Sequence, residues 1–435
     1  MRDFAISDNA AVQAQLDRLG ALSLPSGRLG LDTVRELCAR LGNPQDHMPP
    51  VFHVAGTNGK GSTCTYLRYI LEAQGLTVHS ATKPHLVRYN ERIRIAGALI
   101  GDDLLAALLK EALDAGADLE PSFFEVTTVA TFMAFSRIPA DVCVIETGLG
   151  GRLDATNVMP TAAVCGISTL GIDHEAFLLA PEDGVPEDPL ARIAFEKASI
   201  AKPGVPLVTM AYPERAAESV SATAAQIGAP VVMRGRGWDA AIGDAIAYRD
   251  EQGALTLPLP ALPGQHQAEN AALAVAMIRH QRAVPVSPEA MAKGIVAARW
   301  PARLQRLGAG PVTALAQGRT VWLDGGHNPD AGLAIARHLE SQPPVHLVMG
   351  MLANKDPSAI LKPLADRALS ISVVPAPGHD AHRPEDFAPF TGLPVSSFSN
   401  VPDALAALPA GGNVLIVGSL YLAGEVLRLN DEIPT

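Results

Sequence analysis

Residues 51–62 read VFHVAGTNGKGS, and this run constrains the fold more than any other stretch of the chain. Four of its first five residues are apolar or β-branched, which predicts a buried strand. A tight Gly/Asn turn follows, and Ser62 opens a helix expected over 63–74. Such a strand–turn–helix makes a phosphate cradle. Gly56, Gly59 and Gly61 let backbone N–H groups close on phosphate oxygens, and the helix N-terminus adds partial positive charge. Lys60 supplies a full charge, and the Ser62 hydroxyl suits Mg²⁺. The spacing is shorter than the Walker A pattern, which counts back from Lys60 to a glycine where this chain has Val54. The competing reading is a glycine-rich turn with an incidental lysine; the order of the elements favours phosphate.

At 435 residues the chain exceeds one ordinary core, so two or three domains are expected. Hydrophobic residues make up 48% and charged residues 18%, a globular composition. A net charge of −11 argues against nucleic acid and anionic membranes as partners and leaves small anionic substrates open. Cys38, Cys64, Cys143 and Cys165 form no CxxC pair and read as buried free thiols in a reducing cytoplasm. The first ten residues lack the apolar stretch of a signal peptide, and no apolar run of about 18 residues occurs.

Ahead of the loop, residues 11–24 and 32–41 have helical spacing, separated by a turn at Pro25-Ser26-Gly27-Arg28-Leu29-Gly30. After it, a strand over 77–81 leads into TKPHLVRYNERIR. Here Lys83, His85, Arg88, Arg92 and Arg94 concentrate positive charge. A solvated loop and an anion-steering surface explain that cluster equally. A helix over 102–115 precedes Ser122-Phe123-Phe124-Glu125, an S-x-x-E capping box before an apolar helix. The strand 141–145 ends in Glu146, just before TGLGGRLDATN. Open α/β sheets place ligand chemistry at the carboxyl ends of parallel strands, which makes Glu146 a candidate Mg²⁺ ligand opposite Ser62 rather than a surface carboxylate. A strand over 162–168 repeats the arrangement and leads to Asp173-His174, either a surface turn or part of the same site.

Residues 175–189 are acidic and Pro-rich and are expected to be a solvated excursion. A helix from Leu190 carries Phe195-Glu196-Lys197-Ala198-Ser199, and short strands follow at 206–210 and 230–233. GQHQAEN then opens a helix over 271–280, where Gln and Asn either contact a nucleotide or cap the helix. Beyond a hinge at Arg299-Trp300-Pro301, strands at 321–323, 345–349, 370–374 and 413–417 alternate with helices, a second nucleotide-fold-like domain. The expected division is 1–299 and 300–435.

Taken together, HVAGTNGKGS, ETGLGGRLDATN, FEKASI, GQHQAEN, PARLQ, LDGGHNPD, GMLANKD and VGSLYLAGE resemble, in order, the folylpolyglutamate synthase/dihydrofolate synthase family, relatives of the Mur peptidoglycan ligases. The resemblance covers nearly the whole chain. It implies an α/β architecture: a large N-terminal P-loop ATPase domain with a mostly parallel sheet, and a smaller Rossmann-like C-terminal domain contributing to the ATP and glutamate sites. The implied reaction is ATP-dependent amide formation through an acyl phosphate, adding L-glutamate to 7,8-dihydropteroate and to reduced folates.

By the same resemblance, Asn58, Gly59, Lys60, Gly61 and Ser62 hold ATP phosphates, with Asn270, Arg303 and Asp324 as further ATP positions. Ser62, Glu146 and His174 are implied Mg²⁺ ligands, for two ions per site. Lys197 matches a lysine that becomes carbamylated, against the plainer reading of a helix-surface partner of Glu196 or Asp188. Ser26, Gly27, Arg28, Leu29, Ser122, Phe123, Phe124, Glu125, Leu153, Asp154 and Ala155 match pterin-binding segments. His327 and Ser419 match the glutamate site. Lys60, Glu146, His174 and Lys197 form the implied catalytic set, in a cytoplasmic monomer. The sequence departs from the family at Lys83, where a serine is usual, and at Ser199 and Ala302, where glycines are usual. The alternatives are a Mur-like ligase acting on another acid, disfavoured because no nucleotide-sugar domain precedes Val51, and a non-catalytic ATP sensor.

Overall fold

A computed structural model describes residues 6–22 and 30–435. The expected turn at Ser26, Gly27, Arg28 and Leu29 lies outside the described residues. The chain divides into two compact units. The first runs to Pro84 and includes Tyr89–Ala261 and Gln267–Ala298; the second consists of His85–Arg88, Leu262–His266 and Arg299–Thr435.

The first unit is built on an eight-stranded sheet. Its strands are β1 (Val51–Ala55), β2 (Val78–Ala81), β3 (Ile93–Ile95), β4 (Ala98–Leu99), β5 (Val142–Glu146), β6 (Val164–Ile167), β7 (Leu207–Thr209) and β8 (Val231–Met233). Their spatial order is β4-β3-β2-β5-β1-β6-β7-β8. From β2 to β8 the pairing is parallel, and β3 and β4 add an antiparallel edge. Strands β1 and β5 are buried along their whole length, as strands covered on both faces must be. One face carries a core of Val12, Leu16, Leu37, Leu109, Phe132 and Met133 from helices Ala10–Ala21, Asp32–Arg40, Asp102–Ala115 and Phe123–Arg137. Because β1 lies between β5 and β6, in register Val54↔Glu146 and Val54↔Gly166, the carboxyl ends of three adjacent strands open onto one place.

The helix after β1 begins at Lys60, not beyond Ser62 as the sequence suggests, so Lys60, Gly61 and Ser62 form its first turn. The acidic excursion is also a correction. Glu175–Leu178 is a short helix, and Glu182 is clamped between Arg152 (2.6 Å) and Arg192 (2.7 Å), which also meet Glu196 at 2.9 and 3.3 Å. A three-stranded antiparallel meander, β9 (Trp238–Ile242), β10 (Ile246–Asp250) and β11 (Gly253–Leu257), completes the unit in a stretch that carries no sequence-based expectation above.

The second unit has a six-stranded sheet of β12 (Gln305–Arg306), β13 (Val321–Leu323), β14 (Val345–Met349), β15 (Ala368–Val373), β16 (Val395–Ser397) and β17 (Asn413–Val417), ordered β12-β13-β17-β14-β15-β16. All pairs but β12–β13 are parallel. The order reverses beside β17, which puts Asp324 and Ser419 at the carboxyl ends of neighbouring strands, where doubly wound sheets bind ligands. No described helix is long and apolar enough to cross a membrane. All four cysteines are buried and unpaired, and burial pushes the Cys38 and Cys165 thiols up to about 12.

Candidate active site

The loop between β1 and its helix is held open by contacts that its own sequence does not announce. Ser168 and Thr169, just past β6, donate their hydroxyls to the Asn58 carbonyl at 2.7 and 3.0 Å. Thr57 N–H donates to the Thr169 carbonyl at 2.7 Å, and the Thr57 hydroxyl bridges the Gly171 backbone. Gly59 turns the chain with φ 84°, and a side chain there would collide with Asn270 Oδ1. Asn270, in the helix Gln265–His280, is thereby brought onto the phosphate loop from far along the sequence.

Two lysines meet in this loop. Lys60 Nζ donates to the carbonyls of Gly56 (3.0 Å) and Thr57 (3.1 Å), and Lys197 Nζ to that of Gly56 (2.9 Å). Lys197 is buried, not the surface partner of Glu196 or Asp188. Burial first, and the charge of Lys60 second, push its pKa down from 10.5 to about 7, with Asp173, Asp154 and Glu196 pulling the other way. The helix bearing it is seated by Gly151, whose hydrogen stands where a side chain would lie 2.6 Å from the Glu196 carbonyl and 3.0 Å from Lys197 Cα. Arg152 N–H donates to that same carbonyl at 2.7 Å.

Glu146, at the end of β5, is buried and accepts the Lys83 backbone N–H at 3.0 Å, while Lys83 Nζ reaches the Glu146 carbonyl at 3.4 Å. Burial lowers the Lys83 pKa, opposed by Asp154 and Glu146 and assisted by Arg92 and Lys60. Among the described residues no cluster of three His, Cys, Asp or Glu side chains is placed to hold a metal. A hard ion that keeps phosphate oxygens and water as ligands needs fewer protein donors. The donors present fit that pattern: a buried carboxylate on Glu146, the buried Ser62 in the first turn of the loop helix, and the buried Thr147 hydroxyl, which has no hydrogen-bond partner. His174 is less committed to the site. It has φ 54°, is exposed, and lies 3.8 Å from Asp173.

The expected pterin segments divide. The capping box is formed: Ser122 Oγ accepts from Glu125 N–H, and Glu125 Oε2 accepts from Ser122 N–H and Oγ–H at 2.7 and 2.8 Å. Phe123 packs edge-on to Phe124 and Tyr89, with the Arg92 guanidinium 5.6 Å from its ring, so an aromatic shelf sits at the start of that helix. Asp154 is an organiser of the glycine loop. Its carboxylate accepts from Gly148 N–H, Leu149 N–H, Thr156 N–H and the Thr156 hydroxyl (2.5 Å), which in turn meets His53 Nε2 at 2.9 Å. Burial opposes its charge, but Lys83 and these bonds hold its pKa below the usual range. Leu153 and Ala155, beside it, pack against the hydrophobic core.

In the second unit, Asp324 is buried and accepts Leu304 N–H and Gly326 N–H, both at 2.7 Å. Burial raises its pKa against the pull of Arg303. His327 Nδ1 lies 3.0 Å from the Gly325 carbonyl, and Ser419 caps the helix Leu420–Leu429 through Leu422 N–H. Ser419 therefore has a structural occupation whatever else it does.

No protein-family model matches the chain. It is 33% identical over 412 residues to the dihydrofolate synthase/folylpolyglutamate synthase of Escherichia coli, spanning 93% of this chain and 92% of that one. The chain belongs to the folylpolyglutamate synthase/dihydrofolate synthase family. The structure of E. coli FolC in complex with DHPP and ADP has a TM-score of 0.84 at 32% identity, covering 97% of each chain. A bifunctional folylpolyglutamate synthase/dihydrofolate synthase with Mn, AMPPNP and L-glutamate bound has a TM-score of 0.81 at 30% identity, covering 98% of this chain and 99% of that one. Within the family frame, two of the departures acquire physical explanations. Ser199 has φ −69° and returns its hydroxyl to the Phe195 carbonyl at 2.8 Å, so nothing there calls for glycine. Ala302 has φ 54° and stands in a conformation that glycine adopts without strain.

Proposed function

We propose that this family member is an ATP-dependent ligase that adds L-glutamate to 7,8-dihydropteroate and to reduced folates. The observation that carries the reading is the convergence of Lys60, Lys197 and Asn270 on a loop that opens a helix N-terminus, beside the buried carboxylate of Glu146. A carboxylate is a poor electrophile, so the acceptor's carboxyl oxygen attacks the γ-phosphorus and ADP leaves. The acyl phosphate then yields inorganic phosphate as the glutamate amine attacks the acyl carbon and loses a proton. Asn58, Gly59, Gly61 and the helix N-terminus orient the phosphates, and Lys60 stabilises the charge that develops on them. Mg²⁺, when bound by Ser62 and Glu146 with His174 completing the set, supplies Lewis-acid stabilisation of the same oxygens. The resemblance implies two such ions per site.

Lys197, held near neutrality by burial, is suited to add CO₂ and turn from cation to oxygen donor. The Phe123–Phe124 shelf offers a flat ring a stacking face, and Ser122, Glu125, Leu153, Asp154 and Ala155 are assigned to the pterin by the same resemblance. Arg303 and Asp324 are assigned to ATP, and His327 and Ser419 to glutamate. In this reading residues 1–299 carry the phosphate loop and the pterin segments, and residues 300–435 carry Arg303, Asp324, His327 and Ser419. The protein acts as a cytoplasmic monomer, with no nucleic-acid or membrane partner; four unpaired cysteines and a net charge of −11 support that setting.

The test is ADP release with Mg-ATP and L-glutamate in the presence of 7,8-dihydropteroate, tetrahydrofolate or neither, with product masses recorded. Both acceptors should each gain one glutamyl unit. Extension of neither by protein that binds ATP would refute the substrate assignment.

A further inference from the structure

Lys197 lies one residue before the end of its helix, Pro189–Ala198. Whatever fixes the last turn therefore fixes the ammonium that meets the phosphate loop at the Gly56 carbonyl. The glycine loop holds that turn. Arg152 donates its main-chain N–H to the Glu196 carbonyl at 2.7 Å, and its Nε and Nη2 reach Glu196 Oε1 at 3.1 and 2.9 Å. Arg192, one turn earlier in the helix, brings a second guanidinium to the same oxygen at 3.3 Å.

One carboxylate between two guanidinium groups leaves a positive charge in excess. Glu182 removes it. Its two oxygens accept Nη1 and Nη2 of Arg152 at 3.2 and 2.6 Å, and Oε2 also accepts Arg192 Nη2 at 2.7 Å. None of the four side chains is more than 23% exposed, so water relieves an unbalanced charge poorly here. A neutral side chain at 182 would set Arg152 and Arg192 against each other over Glu196. Arg152, the more exposed of the two, is the one that leaves for solvent, and its departure frees the last turn from the glycine loop. The segment bearing Glu182 is itself seated. Arg192 Nε donates to the Leu178 carbonyl at 3.2 Å, and the Leu178 side chain lies 2.8 Å from the point where a side chain on Gly150 would begin. Residues 178–182 thus join the glycine loop to the helix of Lys197.

We propose that Glu182 is a positioning residue of the transfer site, which locks Arg152 and Arg192 onto Glu196 and thereby fixes Lys197 at the phosphate loop. This rests on the ATP-dependent ligase reading. Glu182 touches no reacting atom. It acts through the last turn of the helix, where a displacement of about 1 Å costs a transfer step about a hundredfold.

The experiment measures ADP release by the full-length protein with Mg-ATP, L-glutamate and 7,8-dihydropteroate, at a temperature where circular dichroism shows each variant fully folded. Glu182→Gln keeps the shape and removes the charge; kcat should fall by about tenfold or more, with KM for ATP within about twofold of wild type. Glu182→Asp keeps the charge and shortens the reach, so its kcat should fall by about threefold. Leu109→Ala, a core change of comparable cost to stability, should keep the wild-type kcat. A Glu182→Gln kcat equal to wild type, a loss no larger than that of Leu109→Ala, or a rise in KM for ATP alone would overturn the positioning role while leaving the ligase reading standing. Glu182→Asp, which retains all four charges, decides the matter if Glu182→Gln fails to fold: an unchanged kcat would overturn the role. Absence of ADP release by the wild type with either 7,8-dihydropteroate or tetrahydrofolate would overturn the ligase reading, and this role with it.

Discussion

Replacing Lys60 by Met tests whether a like charge is what keeps Lys197 reactive. Both ammonium nitrogens hydrogen-bond the Gly56 carbonyl oxygen, at 3.0 and 2.9 Å, so they are at most about 6 Å apart. At an effective dielectric constant of about 20, two unit charges at that distance repel by about 3 kcal/mol. Removing one favours the charged form of Lys197 by about a hundredfold. With its pKa at about 7, roughly half of Lys197 is neutral at pH 7 in the wild type, and roughly one molecule in a hundred would be in Lys60→Met. Only the neutral amine has the lone pair that adds CO₂. In ¹³C-bicarbonate at pH 7, the wild type should show a carbamate carbon resonance that is absent from Lys197→Met, and Lys60→Met should lose at least nine-tenths of it. A Lys60→Met signal equal to the wild type would show that the neighbouring charge does not set the state of Lys197.

The same lysine makes stability depend on pH in CO₂-free buffer. Its folded pKa of about 7 lies below the unfolded 10.5, so between those values the unfolded chain holds more protons and stability rises with pH. The penalty, of the order of 5 kcal/mol, is full below pH 7. Urea unfolding should therefore find Lys197→Met more stable than wild type at pH 6, with the gap closing by pH 10; a pH-independent gap would count against the assignment. Glu182→Ala leaves Arg152 and Arg192 short of a carboxylate on a side chain only 15% exposed, and should cost roughly 3 kcal/mol in urea unfolding, where a solvated excursion would cost almost nothing. Ala302→Gly should stay within about 0.5 kcal/mol of wild type. Relief of the left-handed conformation, about 1–2 kcal/mol, is offset by the lost buried methyl, about 0.8, and by the freer unfolded chain. A loss of 2 kcal/mol or more would refute that balance.

The phosphate loop was legible in the sequence because its chemistry is local: glycines, a lysine and a helix start within twelve residues. The capping box at Ser122 and Glu125 and the second α/β unit were legible for the same reason, through spacing and periodicity. The brace that holds the loop was not. Ser168, Thr169 and Gly171 sit more than a hundred residues from Asn58 and Thr57, and only the β1–β6 pairing brings them there. Glu182 misled because a carboxylate in an acidic, Pro-rich stretch reads as solvated until its partners, Arg152 and Arg192, are known. The β9–β11 meander was missed for a local reason. Its strands are half exposed and rich in alanine, as at Ala240, Ala241 and Ala247, which weakens the alternation that marks a strand, although Gly243-Asp244 and Gln252-Gly253 are turn pairs.

The charges of the site explain how an acidic chain can hold an anionic nucleotide. Lys60 and Lys197 share the Gly56 carbonyl of one loop, and Lys83 lies against the end of β5 in the field of Asp154 and Glu146, while the chain as a whole carries −11. Carbonyl oxygens at Gly56, Thr57 and Glu146 satisfy these ammonium groups without cancelling their charge. Phosphate oxygens can therefore displace carbonyls as partners and gain the full Coulomb attraction in a poorly solvated place. Lysine is also the cation whose charge a protein can remove, because burial and a neighbour lower its pKa where an arginine would stay charged. A loop built from lysines can thus keep one charge for the phosphates at Lys60 and give up another at Lys197.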